Sequence, residues 1–312
     1  MVYSLLVLKK VYGLSFFILI YKFKKIIQYD KIQISIGENM NVGLKDKINN
    51  RIIEIDVLRG ICIFLMIFDH FIYDVFALMP YIFDFPRKSG LSYDIYTLTL
   101  KYWDWSVREI LHYIICFFFL AITGICCSFS KNNFKRGVKL FIVSLILTLF
   151  TLITGLIISD VDTTIVFGIL HAISLTLIII GVLEKYIPHK SFYLLMGITM
   201  TTLGIIFQVG VKYVSLTEGN VFLTIIESII GISACGSDHF PILLNGGQIF
   251  IGVYLGKALY SNRKSLFKNA KYKNNIITFT GRNSLIMYFA HQIIIPIILI
   301  IILLICGFKL SI

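Results

Sequence analysis

This chain has little charge. Only 15% of its residues are charged against 57% hydrophobic, and the apolar residues fall in long blocks with no stretch between them that composes a soluble domain. That excludes an ordinary globular enzyme and marks an integral membrane protein. Paired cysteine motifs are missing too. No CxxC or CxxH spacing occurs, and Cys62, Cys116, Cys126, Cys127 and Cys306 lie inside apolar blocks as small packing residues, so neither disulfides nor a metal is expected. There is no internal repeat, which speaks against inverted-repeat transporters, and no low-complexity segment. The net charge of +12 resides in loops beside the apolar blocks, where membrane orientation explains it better than nucleic-acid binding.

The expected fold is an all-α polytopic bundle of about seven transmembrane helices, near residues 58–79, 109–130, 137–158, 164–183, 191–211, 240–260 and 283–306. A short helix on the outer face is expected within 221–236, which is apolar but brief and carries Glu227. Residues 1–50 read as a cytoplasmic extension with a short apolar run, Val11 to Tyr21, and 51–312 as the membrane domain. The extension starts like a signal peptide but lacks a small-residue cleavage site, and Met40 would serve as a start for the body. It is the one place where an extra N-terminal helix is conceivable.

Under this reading, 29 basic residues divide unequally. All except Arg87, Lys88, Lys101, Arg108, Lys212 and Lys309 fall on one side, which places that side in the cytoplasm of a multi-pass cell-membrane protein and the C-terminus outside. The outer loop 80–108 holds Tyr93, Tyr96, Tyr102, Trp103 and Trp105; composition favours an interfacial aromatic belt over a platform for sugar rings.

Chemistry concentrates in the first span. It carries Arg59, Asp69, His70 and Asp74 into the bilayer, where a charged side chain costs about 2.5–3.5 kcal/mol at the centre and needs a partner or a function. Arg59 and His70 are eleven residues apart, about three helical turns, hence on nearly one face and roughly 16 Å apart along the axis. Asp74 shares that face at i+4 from His70. His171 lies in the fourth span. His291 lies in the seventh, sharing a face with Ser284 and Tyr288, and Asp238 precedes His239 at the start of the sixth. A lone intramembrane histidine is more often a hydrogen-bonding glue residue. Three on separate helices, alongside Asp69 and Asp74, favour a shared polar interior.

An imidazole with a carboxylate to fix its tautomer is a general base for a hydroxyl or amine. Arg59 and Arg282, at the basic side, suit the phosphates of a donor. The rival readings of the same residues are a proton relay in a proton-coupled transporter of a small solute, and a non-catalytic anchor whose polar groups hold helices together.

Four phrases carry a family resemblance: RIIEIDVLRGICIFLMIFDHFIYD, FGILHAISL, SDHFPILLNGGQIFIGVYLGKALY and FTGRNSLIMYFAHQ. With them the chain from about residue 51 onward resembles the bacterial branch of the heparan-α-glucosaminide N-acetyltransferase-like membrane proteins. Arg59 and His70 also reproduce the arginine–histidine spacing of the wider group of membrane sugar acyltransferases. The resemblance implies transfer of an acyl group, usually acetyl from acetyl-CoA at the cytoplasmic face, to a sugar amine or hydroxyl across the membrane, here one of a cell-envelope glycan. The site expected for such a transfer comprises His70, oriented by Asp74 or Asp69, with His171, His291 and Asp238 as orienters and Arg59 and Arg282 on the donor. No histidine occurs between His70 and His112, so the acetyl-histidine route proposed for the eukaryotic enzymes is not carried over. No counterpart of their N-terminal luminal part is read before residue 51, so heparan sulfate itself is not the expected acceptor.

Overall fold

The computed structural model describes residues 51–157, 164–215, 220–267 and 275–311; the expectations for residues 1–50 and for the basic loop between 268 and 273 lie outside them. Among the described residues, seven helices are long and apolar enough to cross a membrane. The first is α1, Ile53–Tyr73, prolonged through a π-helical turn at Asp74–Leu78 and a last turn at Met79–Ile82. Then come α2 (Leu91–Trp103), α3 (Ser106–Ile125), α4 (Asn133–Ile157), α5 (Ile169–Tyr186), α6 (Lys190–Gln208), α7 (Val221–Ile230), α8 (Ile242–Leu259), α9 (Ile276–Arg282) and α10 (Ser284–Ile305). All seven expected spans are present, within a few residues of their expected limits, the largest offsets falling at the N-terminal ends of the first and the fourth.

α8 is the hub. It packs against α6, α3 and α5 through glycines that let backbones approach closely, the device bilayer helices use where burial of apolar surface supplies no drive. Gly252 lies on Ala121 and Gly124 lies on the Ile249 carbonyl, so any side chain there would collide with main chain. Ile249, Phe250 and Val253 fill the space beneath, with Leu120, Leu177 and Tyr193. A second glycine crossing joins α1 to α9, where Gly60 meets Ile277 and Gly281 meets the Asp56 carbonyl.

Short elements close the two ends. α7 is only 10 residues long, which agrees with a helix too brief to span; Asn220 caps its first turn and Gly231, at φ +104°, ends it. α9 starts on a capping box between Asn275 and Thr278. β1 (Lys212–Tyr213) and β2 (Ser233–Ala234) pair in parallel beside α7. At the far end of α1 the C-terminal residues fold back: Phe83 pairs with Leu310, and Arg87 donates to the Cys306 and Gly307 carbonyls.

One expectation needs correction. Residues 80–108 are not an extended loop, because α2 occupies their second half. Trp103 at its C-terminus packs at a tilt against Tyr73 and Phe76 of the first span and lies under the Arg108 guanidinium at 3.6 Å. The polar-rich sequence LSYDIYTLTLKYW hides this helix from a hydropathy reading, since only part of it faces the bundle.

Candidate active site

α1 sends Arg59 and His70 into the bundle from nearly one face, but toward different neighbours. Arg59 Nη2 donates to Cys126 Sγ at 2.7 Å, on the short turn that ends α3. His70 meets His291 of α10 edge to face, ring centroids 4.8 Å apart. The π turn begins four residues after His70, a backbone irregularity that recurs at functional sites.

The tautomers follow from the hydrogen bonds. His70 Nδ1 lies 2.9 Å from the Met66 carbonyl, which can only accept, so Nδ1 carries the proton and Nε2 is left with its lone pair. His291 repeats this with the Met287 carbonyl at 3.1 Å. Its Nε2 is buried without a hydrogen-bond partner, and the residue is 5% exposed. A buried acceptor left open beside a second imidazole is costly unless something else uses it. Tyr288, at 6.0 Å, closes the other side of the His291 ring.

The carboxylates are arranged differently from expectation. Asp69 does not bond to His70. It receives Arg108 Nη2 at 2.6 Å and Nε at 3.0 Å and Tyr102 at 3.2 Å, and it faces His112 Nδ1 at 3.7 Å. The physical reason is angular: neighbouring residues on a helix diverge by about 100°. Asp69 therefore looks at α3 while His70 looks at α10. Asp74 forms no side-chain hydrogen bond to His70 either, because the Met66 carbonyl already occupies Nδ1 and the π turn starts at Asp74. The orienter of His70 is main chain.

Asp238 joins the cluster from the loop before α8. Its Oδ2 accepts the Ile169 N–H at 3.4 Å, at the N-terminus of α5, where Gly168 leaves room that a Cβ would fill. Burial pushes its carboxyl up to about 6, against the opposing pull of the Ile169 N–H and the nearby His112. Tyr288 also lies within its electrostatic reach. His70 in turn senses Asp69, His112 and Arg108. His70, His291, Asp238, Asp69 and His112 thus form one polar neighbourhood between α1, α3, α10 and the start of α5.

His171 stands apart. Its Nε2 pairs with Thr148 Oγ1 at 3.1 Å and its ring packs between Phe141 and Phe167, while Thr148 donates to the Ile165 carbonyl. No hydrogen bond or ring contact links it to His70 or His291 among the described residues, so it serves the α4–α5 seam. His112 is the residue that sequence reading passed over as interfacial; its i,i+4 relation to Arg108, and the need of an intramembrane Asp69 for partners, were the available signals.

At the Arg59 end lies an open cavity of about 320 Å³, lined by Cys127, Ser128, Glu184, Lys257, Tyr260 and Arg263 among others. Its basic residues are Lys257 and Arg263, so the expected pair Arg59 and Arg282 is not in its wall. Lys257 bridges to Glu184 at 3.5 Å and lies over the Tyr193 ring at 4.2 Å. Arg59 reaches the wall indirectly, since Cys126 immediately precedes Cys127 and Ser128. Ser128 Oγ is buried without a hydrogen-bond partner. Arg282 ends α9, next to the Gly281 that packs on α1 at Asp56 and Gly60.

The heparan-alpha-glucosaminide N-acetyltransferase catalytic family matches over residues 51–293. The chain belongs to this family. The match takes in α1 to α9 and the first half of α10, hence every residue of the polar neighbourhood. No curated protein and no solved structure matches the chain. Membership makes this a membrane protein of an acetyltransferase family, and His70, His291 and Asp238 stand inside the matched range.

Proposed function

We propose that the protein moves an acetyl group from acetyl-CoA on the cytoplasmic side to a sugar amine or hydroxyl of an outward-facing cell-envelope glycan. The observation that carries this reading is the His70–His291 pair, two imidazoles in ring contact, each with Nδ1 held by main chain, inside a helix bundle of an acetyltransferase family. His70 takes the proton from the acceptor as its oxygen or nitrogen attacks the thioester carbonyl. His291 and Asp238 orient the acceptor.

The donor's phosphates suit the cavity holding Lys257 and Arg263, at the end where the basic loops cluster. Arg59 is bonded to the turn that adjoins the cavity wall, and Arg282 ends α9 at its crossing with α1; on this reading the two guanidiniums assist the donor's phosphates. The C-terminus then lies outside and the Arg59 end faces the cytoplasm.

The test is direct. Purified protein in nanodiscs receives acetyl-CoA and an amino-sugar acceptor, and free coenzyme thiol is followed. Mass spectrometry of envelope glycans from cells with and without the protein should show a lost acetyl increment. Solute uptake that follows a proton gradient without thioester cleavage would instead establish a transporter.

A further inference from the structure

The seam between α1 and α3 contains a second set of reactive groups. His112 Nε2 lies 3.6 Å from Cys116 Sγ, one turn further along α3, and His112 Nδ1 lies 3.7 Å from Asp69 Oδ2. Thiol, imidazole and carboxylate therefore stand in the order nucleophile, base, orienter. The carboxylate is itself fixed by Arg108 and Tyr102, so it cannot swing away from the ring.

The other cysteines of the seam and the α3 terminus are engaged otherwise. Cys126 takes the Arg59 bond, Cys127 donates to the Thr123 carbonyl, and Cys62 is 6% exposed. Cys116 is free and only partly buried. Its place along the bundle matters most. Along α3 Cys116 lies between His112, which faces Asp69, and Cys126, which takes the Arg59 bond, so its level on α1 falls between Arg59 and Asp69.

We propose that Cys116 is an acyl-carrying nucleophile, with His112 as its base and Asp69 as the residue positioning His112, and that transfer runs in two steps through an acetyl-cysteine. The inference rests on the acyl-transfer reading above. In the first step His112 Nε2 takes the Cys116 proton and the sulfur attacks the donor carbonyl. The new S–C bond forms, the donor's C–S bond breaks, and the coenzyme leaves as a thiol with the proton from His112. In the second, the acceptor's O or N attacks the acetyl-cysteine as His70 takes its proton. The Cys116 S–C bond breaks, and His70 releases the acceptor's proton to water, from which the thiolate is reprotonated by way of His112. No oxidant or reductant is consumed.

The experiment uses the full chain in nanodiscs with acetyl-CoA and no acceptor, quenched in acid and read by intact and peptide mass spectrometry. The proposal expects one acetyl increment on the peptide bearing Cys116, removed by neutral hydroxylamine as a thioester is. Cys116→Ala should lose it, Cys62→Ala should keep it, and His112→Ala should slow its appearance by at least tenfold. Cys116→Ser, nearly isosteric, checks that loss in the alanine variant is not misfolding: it should lose the hydroxylamine-labile increment while eluting as wild type. Coenzyme A release to glucosamine at the wild-type rate in Cys116→Ala, or an increment found on His70 or His291, would overturn the acyl-cysteine step while leaving acyl transfer intact. A wild-type protein that neither gains the increment nor releases coenzyme A would overturn acyl transfer itself, and this step with it.

Discussion

His70 and His291 stand edge to face across the seam between α1 and α10, 4.8 Å between ring centroids, each with Nδ1 tied to the carbonyl four residues back. This shared tie leaves both Nε2 atoms as acceptors. Loss of His70 should remove the base, whereas loss of His291 should remove only an orienter. His291→Ala is expected to lower the rate of coenzyme A release by about 10- to 100-fold with substrate affinity changed less, while His291→Gln, which restores a polar group, recovers part of it. Equal rates in wild type and His291→Ala would assign His291 to helix packing alone.

Asp69 and Arg108 make the strongest tie between α1 and α3. Both side chains are largely buried, at 16% and 13% exposure, so removing one partner strands the other charge. Asp69→Ala should therefore destabilise the protein by about 3 kcal/mol, and the double variant Asp69→Ala/Arg108→Met should recover part of that loss. Thermal unfolding in one detergent, compared across the four proteins of the cycle, checks it. Additive losses would mean that the two groups do not depend on each other.

Asp238 gives a pH dependence with a definite sign. Its carboxyl is raised to about 6 in the folded chain from an ordinary value near 4, so between those values the folded state binds more protons than the unfolded one. The stability contributed by the protonated form is complete below about pH 4 and is lost as pH rises through about 6. Asp238→Asn should accordingly be more stable than wild type at pH 8, by about 1 kcal/mol after solvent screening, and no more stable at pH 4. A gain equal at both pH values would show that the carboxyl's charge is not what matters.

Gly281 sits where α9 crosses α1, with a Cβ position that coincides with the Asp56 carbonyl. Gly281→Val must push the helices apart, at a cost of about 3 kcal/mol or more. Purified yield and melting temperature should both fall, and coenzyme A release should fall with them because Arg59 and Arg282 flank this crossing. Undiminished stability would mean the crossing is looser than the structure has it.

The bundle was legible because each span is a long apolar run with most basic residues gathered at one side, and length alone separates α7 from the seven long helices. α2 was not, since its face toward the bundle is carried by aromatics that also suit a membrane interface. Within the site, helical spacing correctly put Arg59 and His70 on one side of α1 but could not tell which neighbours they meet. An i+4 carboxylate such as Asp74 looks like an imidazole's partner in sequence; in three dimensions the Met66 carbonyl is nearer and Asp69 belongs to Arg108. His112 shows in the sequence only as the i+4 neighbour of Arg108; that both face Asp69 needed the position of α3. His171, polar in an apolar run, turned out to satisfy Thr148.

The measurement that bears most directly on the account is coenzyme A release from acetyl-CoA by wild-type and His70→Ala protein in nanodiscs, with both shown to be folded by size exclusion and melting. Release that depends on an amino-sugar acceptor and falls by at least about 100-fold in the variant is the predicted result. Release at the wild-type rate without the His70 imidazole would contradict it.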